Sequence, residues 1–130
     1  MSFFAALAPT GFLETAMPDY IYRTIEEAPS VPCPCGTSTR IITRADTPTA
    51  NVHVTSIRDS ARHYHREATE IYYILDGTGS MELGTDSVEL KPGVTIMIPP
   101  GVVHRAYGDV RCLVVGVPAW THDDEFFCEE

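Results

Sequence analysis

The chain has 130 residues, of which 44% are hydrophobic, and it carries a formal net charge of −9 at pH 7. This length and this hydrophobic content predict one compact domain with a core of its own. The negative charge argues against nucleic-acid binding, because such binding needs clustered positive charge that displaces counterions from phosphates.

The first 35 residues are predicted to form an extension ahead of the main domain. Their apolar opening lacks basic residues, is interrupted by Pro9, and is too short to span a bilayer. We therefore expect a cytoplasmic protein without membrane contact. Several apolar side chains still need burial, against the domain or a second subunit: Phe3, Phe4, Leu7, Phe12 and Leu13. The proline-interrupted stretch before Val31 is compatible with one helical turn or an added edge strand.

The cysteines do not form a recognisable metal-binding pattern. Cys33-Pro-Cys35 lacks the two-residue gap of a zinc knuckle, and the chain has no matching second pair. Since no signal peptide is present, reduced thiols are expected, with Cys33, Cys35 and Cys128 as candidates for exposure. Cys112 lies in a predicted core strand, where a free thiol packs as a small hydrophobic group.

Short strands separated by turns are predicted between residues 36 and 120, as in an antiparallel all-β barrel. The predicted strands are Arg40–Thr43, Asn51–Ile57, Glu70–Leu75, Ser80–Leu83, Val88–Leu90, Val94–Ile98, His104–Tyr107 and Arg111–Val117. The predicted connections are Asp59-Ser60, Asp76-Gly77, Gly84–Asp86, Lys91–Gly93, Pro99–Gly101 and Gly108-Asp109. This arrangement leaves little room for helix.

Three histidines and one glutamate are the most informative residues of the chain. His63 and His65 are separated by one residue, Glu70 follows, and His104 ends the stretch Pro99-Pro-Gly-Val-Val-His104. Imidazole nitrogens suit Fe, Mn, Ni, Cu and Zn, and one carboxylate holds a divalent ion without the thiolates of a structural zinc site. The four residues therefore predict an open, reactive site for a divalent metal ion (Fe, Mn, Ni or Zn).

The spacing of these residues predicts which way they face. His63 and His65 point to the same face of a strand, because side chains alternate along a strand. Glu70 has the wrong parity for one uninterrupted strand, so a bulge or tight turn is predicted between residues 66 and 69. Tyr72 shares the face of Glu70, and these two residues are the candidates for catalysis.

Two motifs of the chain resemble those of the cupin superfamily: His63-x-His65-x4-Glu70-x6-Gly77 and Gly93-x5-Pro99-x-Gly101-x2-His104. The resemblance covers residues 52 to 117. In two places the chain departs from the family pattern. Ile57 stands where a glycine usually precedes the first histidine, and Gly108 stands where an asparagine usually follows the last. Neither departure removes a ligand.

The resemblance implies a small double-stranded β-helix, or jelly-roll, barrel in a single domain. It also implies that the metal ligands are His63, His65, Glu70 and His104, and that they point into the mouth of this barrel. A homodimer is favoured as well, since many small cupins pair through their sheets.

The pocket beside the metal is predicted to have a mostly apolar wall with one phenol, formed by Tyr72, Ile74, Met81, Met97 and Trp120. Parity directs three arginines away from the metal, namely Arg62, Arg66 and Arg105. The sequence does not assign a direction to Arg40, Arg44, Arg58 and Arg111. His53 fits a pocket wall and a plain surface equally well, whereas His122 is expected to be exposed to solvent.

Three functions fit these residues, because a fold does not fix a function. The preferred one is an Fe(II)-type oxygenase, in which a small organic substrate and O₂ occupy the positions that four protein ligands leave open. The first alternative is a metal-dependent isomerase, epimerase or lyase, in which Glu70 or Tyr72 moves a proton. The second alternative is a module that binds a small ligand without turnover.

Three regions follow from these features. Residues 1–35 are an extension that packs on the barrel or on a partner subunit, residues 36–120 form the barrel, and residues 121–130 are an acidic C-terminal tail. The simplest interpretation of this tail is a solvated segment. Its acidic residues are Asp123, Asp124, Glu125, Glu129 and Glu130.

Overall fold

The structure is a computed structural model that describes residues 19–128. Nine strands make up most of this part: β1 (Ser30–Cys33), β2 (Gly36–Ile42), β3 (Asn51–Asp59), β4 (His63–Tyr64), β5 (Thr69–Leu83), β6 (Asp86–Leu90), β7 (Thr95–Ile98), β8 (His104–Val117) and β9 (Phe126–Phe127). Two short 3₁₀ helices, Ile25–Glu27 and His122–Asp124, accompany them. No helix within residues 19–128 is long and apolar enough to cross a membrane. The apolar side chains from Phe3 to Leu13 lie outside the described residues.

Two long strands organise the sheet. β8 pairs with β3, β4 and β5, and β5 also pairs with β6 and β7. Apart from β5, β6 and β7, the strands lie side by side in the order β1-β2-β3-β8-β4-β9. Every pairing among the described residues is antiparallel. The sheet is curled into an all-β jelly-roll barrel, which confirms the fold class predicted from the sequence.

The predicted turns at Asp76-Gly77 and Gly108-Asp109 are wrong, because β5 and β8 run through these positions without a break. A register shift between Ile74 and Asp76 marks a bulge here. Gly77 has φ +86° and Gly108 has φ +128°, and the backbone of the opposite strand leaves no room for a side chain at either. These glycines therefore allow paired strands to bend. In the sequence, a glycine at such a bend looks the same as a glycine in a hairpin turn.

Between residue 19 and β2 the structure contains both elements that the sequence allowed, one 3₁₀ helix and one edge strand, since β1 pairs with β2. The expected reduced thiols are wrong for Cys33 and Cys35, which form a disulfide across the turn of this hairpin. The turn brings their Cα atoms to 5.3 Å, within the range that a disulfide requires. Cys112 is free and buried, as predicted, and Cys128 is free and half-buried.

The core lies between the inward faces of the strands and leaves a cavity at one end of the barrel. Its buried members are Ile57, Tyr72, Ile74, Met81, Leu90, Ile98, Ala106, Val110, Cys112 and Val114. Ile74 and Met81 are therefore core residues, not the pocket wall that the sequence predicted. Met97 is also misplaced by that prediction, because it is 64% exposed on the outer face, between the inward-facing Ile96 and Ile98.

Candidate metal centre

The four predicted ligands come together at the mouth of the barrel. His63 on β4 pairs directly with His104 on β8, and Glu70 lies near the start of β5. The Nε2 atoms of His65 and His104 lie 3.2 and 3.1 Å from one carboxylate oxygen of Glu70. One ligand atom of each residue lies within 4.8 Å of those of the other three. This spacing approaches that around a single ion with ligand distances of about 2.0–2.2 Å.

A backbone carbonyl holds the second ring nitrogen of each histidine. The Nδ1 atoms donate to these carbonyls in three pairs: His63 to Ala61 at 2.8 Å, His65 to Asp124 at 2.7 Å and His104 to Val102 at 3.0 Å. A carbonyl oxygen only accepts, so Nδ1 carries a proton in each ring and the neutral imidazole keeps its lone pair on Nε2. Metal-binding histidines are typically oriented by such outer partners.

The polar atoms of this cluster fit a bound cation. Apart from the Glu70 carboxylate, the buried Nε2 atom of His65 has no hydrogen-bond partner among the described residues. Its separation of 3.2 Å from the Glu70 carboxylate brings two electron-rich atoms together, which is unfavourable unless a proton or a metal ion is shared between them. Three imidazoles and one carboxylate can hold a divalent ion such as Fe, Mn, Ni or Zn.

Burial and the charges of neighbouring groups shift the pKa in opposite directions at two of the predicted ligands, Glu70 and His65, and in the same direction at a third, His63. Burial raises the pKa of Glu70, but hydrogen bonds from His104 and His65 outweigh it and hold that pKa far below its usual range. Burial lowers the pKa of His65, yet the hydrogen bond and charge of Glu70 raise it to about 9. Burial and then the charge of His104 lower the pKa of His63 to about 4. A proton between His65 and Glu70 therefore competes with a metal for the same place.

A tight turn ahead of β5 aims Glu70 at the histidines, as the parity of the sequence predicted. Asp124 holds this turn in place. Its carboxylate accepts hydrogen bonds from the backbone N–H groups of Arg66 at 2.8 Å, Glu67 at 3.0 Å and Ala68 at 3.0 Å. Because its own carbonyl also accepts the Nδ1 proton of His65, Asp124 positions the turn and one ligand together.

The position of Asp124 differs from the solvated tail expected for this part of the chain. The segment after β8 folds back over the site, and β9 pairs with β4 through Phe126 opposite Tyr64. The rings of Phe126 and Tyr64 stack at 5.3 Å, and the guanidinium of Arg66 lies 4.1 Å from the Phe126 ring. The sequence signal that could have shown this was the apolar Phe126-Phe127 pair within an acidic stretch.

A cavity of about 260 Å³ opens beside the cluster, and His63, His65 and Glu70 form part of its wall. Tyr72 and Trp120 also line it, as predicted. The rest of the wall is mostly apolar, as expected, and includes Ile57, Val114 and Phe127. It also carries a set of polar residues: Ser38, Arg40, Asn51, His53, Thr55, His122 and Glu125. Of the two alternatives for His53, the structure therefore places it in the pocket wall. His122 is exposed, as predicted, at the edge of the cavity.

The register of the sheet explains how these polar side chains come to line the cavity. Arg40 on β2, His53 on β3, Val114 on β8 and Tyr72 on β5 are successive cross-strand neighbours. Cross-strand neighbours project from the same face of a sheet, so these side chains share the inner face with Glu70, two residues before Tyr72. A polar row thus runs from the edge of the barrel towards the predicted ligands.

The arginines divide as parity predicted. Arg62 and Arg105 bind Glu82 away from the cavity, with N–O distances of 2.8 and 3.4 Å. Arg66 packs on Phe126 and is also absent from the cavity wall. Among the arginines of residues 19–128, Arg40 alone lines the cavity, a direction that the sequence did not assign.

Three groups that line the cavity outside the proposed ligand set have shifted pKa values. Burial, with a smaller contribution from Glu70, raises the pKa of Tyr72 well above its ordinary value. Burial and then the charge of Arg40 lower the pKa of His53 to about 4. Burial also raises the pKa of Glu125. Tyr72 is therefore protonated and His53 neutral at pH 7.

Residues 52–116 match the cupin domain family model, which amounts to half of the chain. Together with the jelly-roll barrel, this match shows that the chain belongs to the cupin family.

Two kinds of relatives were found. A crystal structure of a protein from Planctomyces limnophilus is 36% identical, with a TM-score of 0.77, over 86% of this chain and 98% of its own. Pac13, a nucleoside dehydratase of Streptomyces, is 21% identical, with a TM-score of 0.76, over 86% of this chain and 92% of its own. An uncharacterised protein of Methanocaldococcus jannaschii is 41% identical over 66 residues, which are 48% of this chain and 53% of that protein. The chain thus spans about half the length of this curated relative.

Proposed function

We propose that this chain is a metal-dependent cupin enzyme that transfers protons on a small organic substrate, as in an isomerase, epimerase or lyase reaction. The wall of the cavity carries the proposal. Tyr72, His53 and Glu125 all face the cavity, all can take up or release a proton, and none is a proposed metal ligand. Reactions of this class need such groups beside the reacting atoms. An oxygenase, the function that the sequence favoured, has less need of such proton-transferring groups.

The proposed ligands are His63, His65, Glu70 and His104. A divalent ion held by them would act as a Lewis acid that polarises a substrate oxygen. The site is preorganised, because backbone carbonyls orient the three imidazoles and burial shields Glu70 from water. Glu70 is proposed to take part in the chemistry as well as in metal binding.

Tyr72 is the proposed proton donor. Its phenol stays protonated because burial raises its pKa, and it lies two residues beyond Glu70 on the same strand face. His53 is the proposed proton acceptor, since its low pKa leaves its imidazole neutral. It lies on the same inner face as Tyr72, with β8 between their two strands. One group that stays protonated and one that stays neutral suit a reaction in which a proton is removed from one substrate atom and delivered to another. The nucleoside dehydratase Pac13 gives a precedent for elimination chemistry in a barrel of this fold.

An Fe(II)-type oxygenase is the second candidate, and the ligand set favours it. Four protein ligands leave coordination positions at which a chelating substrate and O₂ can bind. The two candidates differ in their need for oxygen and for a redox-active metal. The experiment is to load the protein with Zn²⁺ or with Fe²⁺ without air and to follow a panel of short hydroxy and oxo acids by NMR. Turnover by the zinc form without O₂ supports proton transfer. Turnover that requires both Fe²⁺ and O₂ contradicts it, and binding without any turnover points to a ligand-binding module.

Replacing Tyr72 with phenylalanine tests the proposed proton donor. Tyr72→Phe keeps the ring and removes only the hydroxyl, so metal content should stay level while turnover falls by about a hundredfold or more. The matched control is Tyr73→Phe, because Tyr73 points outward and is 43% exposed. Elemental analysis and a rate measurement on the same samples separate the two effects. Equal rates in Tyr72→Phe and wild type would return this residue to a packing role.

The outer face of the sheet is proposed to form a homodimer, as the family resemblance favoured. Four exposed apolar side chains lie on this face: Tyr73, Leu75, Met97 and Val117. An apolar patch of this kind marks an interaction surface. Met97→Glu should therefore give a monomer by light scattering at concentrations where the wild type is a dimer. The control is Tyr20→Glu, at an exposed aromatic residue that belongs to none of the strands. A wild-type monomer at high concentration would contradict the dimer.

A further inference from the structure

We propose that Arg40 anchors a carboxylate group of the substrate, so that the ligand of this cavity is a small organic acid. The inference rests on the proposed function in one respect, that the substrate occupies this same cavity. It adds the chemical class of the substrate and a residue that determines specificity.

Arg40 is a half-buried guanidinium that has no acidic partner within residues 19–128. Its Nε atom is buried and makes no hydrogen bond among the described residues. By contrast, Arg23 pairs with Asp46 at 2.7 Å and Arg105 pairs with Asp59 at 2.8 Å. A charge that is removed from water without a partner costs free energy. A ligand oxyanion in the cavity would offset this cost.

The structure also holds the Arg40 side chain in place. Its guanidinium lies over the ring of Trp120, 5.2 Å from the ring centroid. Trp120 is in turn fixed, because its backbone N–H donates to Oδ1 of Asn51 at 2.7 Å. Asn51 has room for this contact because the neighbouring residue on β8 is Gly116, where a Cβ atom would collide with the Asn51 side chain. Stacking leaves the edge of a guanidinium free to donate to a ligand.

A second unpaired polar group lies beside Arg40. Ser38 is two residues earlier on β2, so its side chain shares the inner face, and it lines the same cavity. Its hydroxyl is buried and has no partner among the described residues. His53, the cross-strand neighbour of Arg40, is neutral and adds no competing charge. Arg40 and Ser38 therefore offer several donors to one oxyanion.

The surroundings favour a carboxylate over a phosphate. The fork of a guanidinium matches either group with two parallel hydrogen bonds. Glu125 lines the same cavity, however, and repels a doubly charged phosphate more than a singly charged carboxylate. The cavity of about 260 Å³ is also just below the usual size of a ligand pocket, which suits a short acid.

Calorimetric titration of the full chain, loaded with redox-silent Zn²⁺, tests this anchor. The probes are short hydroxy and oxo acids, each beside its neutral amide, together with the matching phosphates. We expect at least one acid to bind about tenfold or more tighter than its amide. Arg40→Gln should remove this preference while leaving the amide affinity unchanged. Arg40→Lys should retain only part of it, because lysine keeps the charge without the fork.

The matched control is Arg58→Gln, which removes the same charge at an exposed position outside the cavity. This variant should bind the acids as the wild type does. If Arg40→Gln does not fold, as judged by its melting transition, the Arg40→Lys comparison decides the question. An acid preference that survives in the Arg40 variants overturns the anchor, and so does a wild type that binds acids no tighter than amides. A preference for phosphates overturns the carboxylate assignment.

These outcomes are distinct from those of the proposed function, because the titration measures affinity and needs no turnover. Repeating it after chelation of the metal removes direct binding of the acid to Zn²⁺. A preference that depends on Arg40 in a protein without turnover supports the anchor and counts against the enzyme. Turnover by an enzyme whose affinity for acids is unchanged in the Arg40 variants supports the proposed function and counts against the anchor.

Discussion

His104→Ala should lower the metal content from about one divalent ion per chain to near zero, as measured by elemental analysis after metal supplementation. His104 is 1% exposed, pairs directly with His63 and places its Nε2 atom 3.1 Å from Glu70. Its removal therefore deletes one of the four proposed ligands. The melting temperature of the wild type should fall on chelation, whereas that of the variant should not respond.

The control for His104→Ala is His122→Ala, because His122 is an exposed histidine at the edge of the same cavity. It should retain the ion. Glu70→Gln separates holding the metal from using it, since three imidazoles should still bind an ion, more weakly, while turnover falls sharply. Full occupancy in His104→Ala would contradict histidine ligation. A wild-type metal content that is unchanged in acid well below the pKa of about 4 of His63, where protons compete with the metal for the imidazoles, would also contradict it.

The cluster of the four proposed ligands could be predicted from the sequence because its geometry is encoded locally. The spacing of His63 and His65 gives a shared face, and the parity of Glu70 requires the turn that the structure contains. His104 is distant in sequence, but the glycine and proline residues before it resemble a known motif. Each of these signals depends on only a few neighbouring residues.

The cavity wall was predicted less well because it depends on register between distant strands. A register shift between Arg40 and Ile42 on β2 disturbs the alternation of side chains, so spacing alone did not assign a direction to Arg40. Met97 failed for a related reason. Its strand is short, and a shift of one position moves a side chain from the inner to the outer face.

Asp124 could not be recognised from its sequence position at all. The groups that it binds are 56 to 59 residues away, and no local spacing connects them. Its neighbours Asp123 and Glu125 are also acidic, so the charge pattern indicated a solvated tail. Long-range side-chain hydrogen bonds of this kind become visible only when the path of the chain is known.

Asp124→Asn should weaken metal binding by about ten- to a hundredfold, the usual loss when an outer partner of a metal-binding histidine is disturbed. Asparagine cannot accept three backbone hydrogen bonds with the strength of a carboxylate, so the turn before Glu70 and the carbonyl that holds His65 should both shift. The free energy of unfolding should fall by about 1–3 kcal/mol, towards the lower value because the side chain is partly exposed. The control is Asp123→Asn, at the neighbouring exposed carboxylate.

The pH dependence of the metal-free protein provides a second readout for Asp124. Burial raises its pKa, but hydrogen bonds from the backbone of Arg66, Glu67 and Ala68 outweigh this and lower the pKa below the ordinary value. A carboxyl whose pKa is lower in the folded than in the unfolded chain stabilises the fold fully above the unfolded pKa, and this stabilisation is lost as pH falls through the folded pKa. The difference in unfolding free energy between wild type and Asp124→Asn should therefore be largest near neutral pH and shrink on acidification. Denaturant titrations at several pH values measure this difference, and a gap that stays constant or widens in acid would mean that the carboxylate does not hold the turn.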